Sequence, residues 1–317
     1  MDDNSVFITV YTADEEYYRF ESIKQFVFRK DKYTPYTELS VTIIDSENIL
    51  DLHAVISNVR FVIDHNVLHI GIADTSEHFT ENGVSFITIR SRGYTSLLLN
   101  NQMVPGIHSN MSIEKLMTSY YKFPYTIMWE DDSSVCNYIY VKEHRSMWDS
   151  VVNLGYKLYK TYPYIKEANK IMIRPHSNPY SVMFEKNNVL KYGTAVNTTG
   201  ILSHLHMQDM EGNYETYNLE NTLAEKLLIV RHKQIPFDRQ YLNDPDMSMN
   251  LTFALASKAW RSKYITINGT SHLDVNDAVG MDGFFDMQRV CAVMISGNSR
   301  GIQSTYYVYE DDFSTTV

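Results

Sequence analysis

Two histidines, His204 and His206, are the first residues in this sequence whose type and spacing could do chemistry. They sit two apart in an alternating stretch, 201–207, so on a strand both imidazoles point to one face. Such a pair suits a transition metal, but a metal site needs three or four ligands. Asp209 falls on the opposite parity and supplies no third, so a polar strand face is the plainer account. The runs Glu130-Asp131-Asp132 and Glu310-Asp311-Asp312 offer carboxylates. Glycoside hydrolysis needs two acids facing each other across a cleft, which adjacent loop acids do not provide. They read as solvated loops or a charged rim. His144-Arg145 precedes a helix start and could hold an anion there, although an ordinary helix entry explains it as well. Nucleophile-elbow, phosphate-loop, zincin and paired-cysteine motifs are all missing. No catalytic, cofactor-binding or metal-ligating residue is assigned, no cofactor is expected, and the chain is not expected to be an enzyme.

Aromatic residues are the other candidates. The chain has 24 Tyr and 14 Phe against 13 Gly in 317 residues. Tyr17-Tyr18, Tyr120-Tyr121, Tyr162-Pro163-Tyr164 and Tyr306-Tyr307 could stack on sugars or bases. A nucleic-acid groove would also need interleaved cations, and only Tyr156-Lys157-Leu158-Tyr159-Lys160 approaches that pattern. With 28 Lys+Arg against 38 Asp+Glu the net charge is -10, so specific nucleic-acid binding is not expected. Packing and contact surface account better for the tyrosines.

The elements that would position these residues are mostly strands. Period-two alternation marks 40–43, 59–63 and 68–72, with a turn at Asp64-His65-Asn66 and another at Glu81-Asn82-Gly83 before a strand at 84–90. At Ser112 the period changes: Ile113, Leu116, Met117, Tyr120 and Tyr121 follow helical spacing. A second helix starts at Ser146, with Asp149 completing a capping box. A hairpin follows, 162–165 with 170–174. Strands return at 201–207, 214–217 and 227–231. Asp244-Pro245-Asp246 opens a helix, and 263–268, 291–295 and 303–309 close the chain as strands. The fold class is therefore mainly β (α+β): two β-barrel-like units flank a small α+β unit, with a helix inserted in the second β unit. The expected domains are 1-106, 107-178 and 179-317, the last containing helix 245-262.

Cys136 and Cys291 form no framework and read as buried thiols in a reducing compartment. Met1-Asp2-Asp3-Asn4 is acidic and unlike a signal peptide. No apolar run approaches 18 residues, so no membrane anchor is expected. Asn197-Thr198-Thr199 and Asn268-Gly269-Thr270 match a glycosylation pattern that has no consequence in a protein expected to be made and folded in a cytoplasm.

One stretch, Phe86-Ile87-Thr88-Ile89-Arg90-Ser91-Arg92-Gly93-Tyr94-Thr95-Ser96-Leu97-Leu98-Leu99, resembles the late-control-protein-D-like baseplate hub proteins of contractile phage tails and tail-like injection particles. Leu273-Asp274-Val275-Asn276-Asp277-Ala278-Val279 is similar to a segment that precedes the last hairpin in that family. The order of elements agrees over most of the chain. The resemblance implies a homotrimer with two related barrels per subunit, joining a sixfold tail tube to a threefold central spike. Its implied partners are the tail tube or tube initiator protein, the spike, surrounding baseplate proteins and a tape measure protein in the channel. The component would reside in a virion tail or tail-like particle baseplate. A distal tail adaptor or receptor-binding β protein is the alternative, and a cell-wall hydrolase the third reading.

Overall fold

The computed structural model describes residues 6–242 and 244–310; the N-terminal Met1-Asp2-Asp3-Asn4 and the acids Asp311 and Asp312 lie outside them. The first stretch forms β1 (Val6–Thr12), β2 (Tyr17–Phe20), β3 (Ile23–Asp31), β4 (Thr37–Ile44), β5 (Ile56–Ile63), β6 (Asn66–Glu81) and β7 (Val84–Gly93). Alternation decides the faces: Ile8, Val10, Val59 and Phe61 are fully buried while Arg60 is exposed. Both tight turns carry two consecutive residues at positive φ, Asp64-His65 and Asn82-Gly83. That is what a two-residue hairpin with right-handed strand twist requires.

The middle stretch contains α1 (Leu97–Asn100), β8 (Gly106–Met111), α2 (Ile113–Tyr120), β9 (Met128–Trp129), β10 (Cys136–Val141), α3 (Met147–Tyr159), β11 (Tyr164–Lys166) and β12 (Lys170–Met172). Ser112 caps α2 by accepting from the Lys115 N–H at 3.1 Å. Ser146 and Asp149 form the reciprocal box at α3, with bonds of 3.2 and 2.9 Å. Trp148, Val151 and Leu154 then face a core shared with Leu116, Ile139 and Ile173. Ser146→Ala should lower stability by about 1 kcal/mol, read as a shift in the urea midpoint. An unchanged midpoint would mean Asp149 alone satisfies the helix end.

The last stretch contains β13 (Ser181–Phe184), β14 (Lys191–Val196), β15 (His204–Met207), β16 (Tyr217–Glu220), α4 (Thr222–Lys226), β17 (His232–Ile235), α5 (Pro245–Ser257), β18 (Arg261–Asn268), β19 (Ala278–Met281), β20 (Phe285–Arg289), β21 (Ala292–Asn298) and β22 (Gly301–Tyr309). Residues 227–231 are no strand: the Asn221 side chain accepts from the Leu223 N–H and starts α4 instead. The strand that pairs with β15 follows as β17. The return strand is 217–220, not 214–217. The Asp209 carboxylate collects the N–H groups of Glu211 and Asn213 and the Thr216 hydroxyl, which holds 209–216 as a loop. The inserted helix stops at Ser257, since Arg261 already pairs with Val196 in β18.

Long-range pairing organises these strands. Eleven of them form one sheet in the order β14-β18-β22-β21-β3-β4-β7-β6-β5-β1-β2. The seam is β21 on β3, antiparallel from Ala292↔Asp31 to Asn298↔Gln25. Buried residues from both ends of the chain, such as Ile8, Ile89, Ile265 and Val308, lie in one core cluster. At the seam Gly297 sits opposite Phe26, and a Cβ there would lie 2.2 Å from the phenyl ring. The ring is itself held against Phe61 at 4.9 Å. Gly297→Ala should therefore cost about 1–3 kcal/mol by overpacking. Adding Phe26→Leu should recover part of the loss, and denaturant melts of the single and double variants check it.

Candidate functional site: two polar joints

Two clusters of buried polar groups coincide with the segments that carried the family resemblance. The first centres on His69 in β6, which is fully buried. Its Nδ1 lies 2.7 Å from Thr37 Oγ1 and its Nε2 2.8 Å from Ser91 Oγ. The Ser91 hydroxyl donates to the Ile72 carbonyl at 2.7 Å, so Ser91 must accept from Nε2–H while Thr37 donates to Nδ1. The ring is thus neutral with one tautomer fixed. Burial, only weakly opposed by Asp74, pushes its pKa from 6.5 down to about 3. Two glycines make room: a Cβ on Gly71 would lie 2.6 Å from His69 Nε2, and one on Gly93 2.7 Å from Thr37 Oγ1. Arg92 grips Asp74 through two bonds of 2.7 and 2.9 Å. Tyr94 stacks on Tyr125 at 4.4 Å, which ties the first sheet to the middle stretch. Burial raises the Tyr94 phenol to about 12.

The second joint is built on residues 273–279, where Leu273, Val275 and Val279 are buried. Lys30 of β3, almost fully buried, donates to Asp274 Oδ1 and to the Glu167 carbonyl, both at 2.6 Å. The other Asp274 oxygen accepts the Glu167 N–H at 2.6 Å. Asp277 accepts from Lys166 at 2.9 Å and from the Asp274 N–H at 2.8 Å. Asn276, at φ +71°, donates to the Tyr164 hydroxyl at 2.8 Å. Three distant stretches of chain therefore meet on one turn. A cavity of about 590 Å³ opens beside it, lined by Lys30, Lys166, Asp274 and Asp277 together with His176 and Tyr306. Asp274 is paired with Lys30 and Asp277 with Lys166, an arrangement that fixes geometry.

Of the candidate residues in the sequence, Tyr164 and Tyr306 belong to the second joint and the others lie elsewhere. His204 and His206 do share the outer face of β15, and His232 joins them from β17. The His204 and His232 rings stack at 4.2 Å, 3° from parallel. His206 Nε2 and His232 Nδ1 stand 3.3 Å apart. With the rings parallel, no three donors converge, and no His/Cys/Asp/Glu group among the described residues has metal-holding geometry. His232 opens β17, one residue beyond the stretch 227–231 whose alternation suggests a strand, so the sequence spacing does not connect it with His204.

Glu130 and Asp132 are buried structural acids. Glu130 accepts from Arg174 and the Ile173 N–H. Burial pushes Asp132 upward, but bonds from Tyr159 and Ser134 and the nearby Arg174 outweigh it and leave its pKa below the ordinary range. Glu310 pairs with Arg261 and Lys263. His144-Arg145 faces a helix end already capped by Asp149. Tyr162, Tyr164 and Tyr306 are core residues, while Tyr17 is exposed. Lys157 donates to the Tyr138 carbonyl at 3.0 Å. Both cysteine side chains are buried and neither is disulfide-linked. No helix among the described residues is long and apolar enough to cross a membrane.

No protein-family model and no curated protein matches the sequence. Solved structures do match the fold. A tail protein from Neisseria meningitidis aligns at 12% identity and a TM-score of 0.69, covering 97% of each chain. The 43 kDa tail protein of prophage MuSo2 from Shewanella oneidensis aligns at 10% identity and a TM-score of 0.70, over 98% of this chain and 99% of that one. An Escherichia coli component of the type VI secretion system aligns at 10% identity and a TM-score of 0.52, over 92% of this chain and 75% of its own. The β-rich chain, with its two polar joints, thus has the fold of these tail proteins along nearly its whole length.

Proposed function

We propose that this chain is a structural component of a phage tail or of a related contractile particle, and within it the baseplate hub. The observation that carries the reading is the end-to-end match to two tail proteins, with TM-scores of 0.69 and 0.70. In this reading the chain is no enzyme. Its division into units 1-106, 107-178 and 179-317 serves to present two β modules per subunit. Three subunits then form a ring between a sixfold tube and a threefold spike. The joints at His69 and Asp274 supply the rigidity that such a connector needs, because each locks segments far apart in sequence. Tube, spike, neighbouring baseplate proteins and the tape measure protein are its partners.

The test is co-expression with the spike and tube proteins of the same particle, followed by mass photometry. Three copies of this chain per spike trimer is the expected composition. A chain that stays monomeric with both partners present overturns the hub assignment. Loss of turbidity from isolated cell walls on adding the purified chain would overturn the structural reading altogether.

A further inference from the structure

Leu228 is held where a leucine is unwelcome. It follows α4 at φ +55°, a left-handed conformation that costs an L-residue about 1–2 kcal/mol. The reversal is set by Leu228 N–H donating to the Glu225 carbonyl at 3.0 Å and Ile229 N–H to that of Ala224 at 2.8 Å, a place where glycine is usual. The side chain is also 90% exposed, and Val230 beside it is 80% exposed. An apolar tip kept in water on a strained backbone points to a contact. The loop 226–233 itself carries three exposed cations, Lys226, Arg231 and Lys233, and no carboxylate, while Glu220 and Glu225 border the hollow on the other side of Leu228.

A complementary surface lies on the first stretch. The turn between β1 and β2 is joined to the loop before β5 by the Ala13 N–H donating to the Val55 carbonyl at 2.9 Å. Tyr17, Leu52 and Val55 are exposed apolar residues there, Tyr17 at 72%. Glu15, Glu16 and Asp51 surround them, all exposed. This corner sits at the β2 end of the eleven-stranded sheet.

We propose that the loop 226–233 of one copy of this chain docks on the β1–β2 corner of the next copy. Every copy carries one basic apolar tip and one acidic apolar corner, so the contact is head to tail and can close into a ring. The second copy is favoured as occupant because the same chain supplies both the apolar match and the opposite charge. This inference rests on the oligomeric reading above and names one of its contacts.

Mass photometry of the full chain with its spike and tube partners tests it. Leu228→Gly should leave thermal stability equal or higher, since the strain is relieved, yet reduce the assembled fraction at least fivefold. Lys226→Glu with Lys233→Glu should reduce it similarly. Adding Glu15→Lys and Glu16→Lys to that chain should restore assembly toward wild type. Variants that assemble like wild type, or a charge swap that restores nothing, overturn the contact while leaving the hub reading intact. Variants that keep the ring and lose only the spike would assign the loop to the spike and overturn the self-contact. If wild type itself never assembles with its partners, the hub reading falls and takes this contact with it.

Discussion

Lowering the pH from 7.5 to 4 is expected to cost the fold about 3 kcal/mol through His69 alone. The folded imidazole is buried and neutral, with a pKa near 3 against 6.5 for an exposed ring. Below pH 6.5 the unfolded chain therefore takes up a proton that the folded chain refuses. Stability is complete above the unfolded pKa, falls as the pH drops from about 6.5, and stops falling from this source near pH 3. The hydrogen bonds deepen the effect, because a protonated ring would present an N–H to Thr37, whose hydroxyl now donates to that nitrogen. His69→Gln removes the titrating group while keeping a side chain that can donate and accept. Urea melts of wild type and variant at pH 7.5 and 4 should differ in their acid loss by about that 3 kcal/mol. The same acid loss in both proteins would remove His69 as the cause.

Asp274→Ala should be the most damaging single change, at about 3–5 kcal/mol. It strands Lys30, whose side chain is 3% exposed, as an unpaired cation inside the protein. Burial already lowers the Lys30 pKa and Asp274 is the main group raising it again, so the carboxylate is what makes a charged lysine tolerable there. The substitution also removes the acceptor for the Glu167 N–H, which loosens the middle stretch from the last. Replacing both members of the pair by apolar residues, Lys30→Met with Asp274→Leu, should recover much of the loss, because the desolvation cost disappears with the charges. Chemical denaturation of the two singles and the double gives the coupling energy. A single Asp274→Ala variant within about 1 kcal/mol of wild type would show that water reaches Lys30 and that the joint is not closed.

Local structure was legible in the sequence wherever its cause lay within a few residues. Ser112 and Ser146 announced their helices because a cap acts on a backbone N–H three positions away. Asn82-Gly83 announced its hairpin because both residues tolerate positive φ. The same locality explains the errors. The apolar run 227–230 reads as a strand, but Asn221 had already committed the chain to a helix, and the run ends as an exposed tip. The strand after His206 was displaced by the grip of Asp209 on its loop. The two segments that resembled a family were found from their residues, yet nothing in their spacing said that they were joints.

By itself, then, the sequence determined a mainly β chain, its turns and helix caps, and the lack of any familiar catalytic constellation. Tertiary structure alone decided that β3 meets β21, that Lys30 reaches an aspartate 244 positions away, that His69 is sealed from water and that His232 joins His204. The reason is physical. Caps, turns and periodicity depend on contacts a few residues long, whereas burial depends on which apolar faces close on one another, and loop closure discriminates only weakly between distant partners.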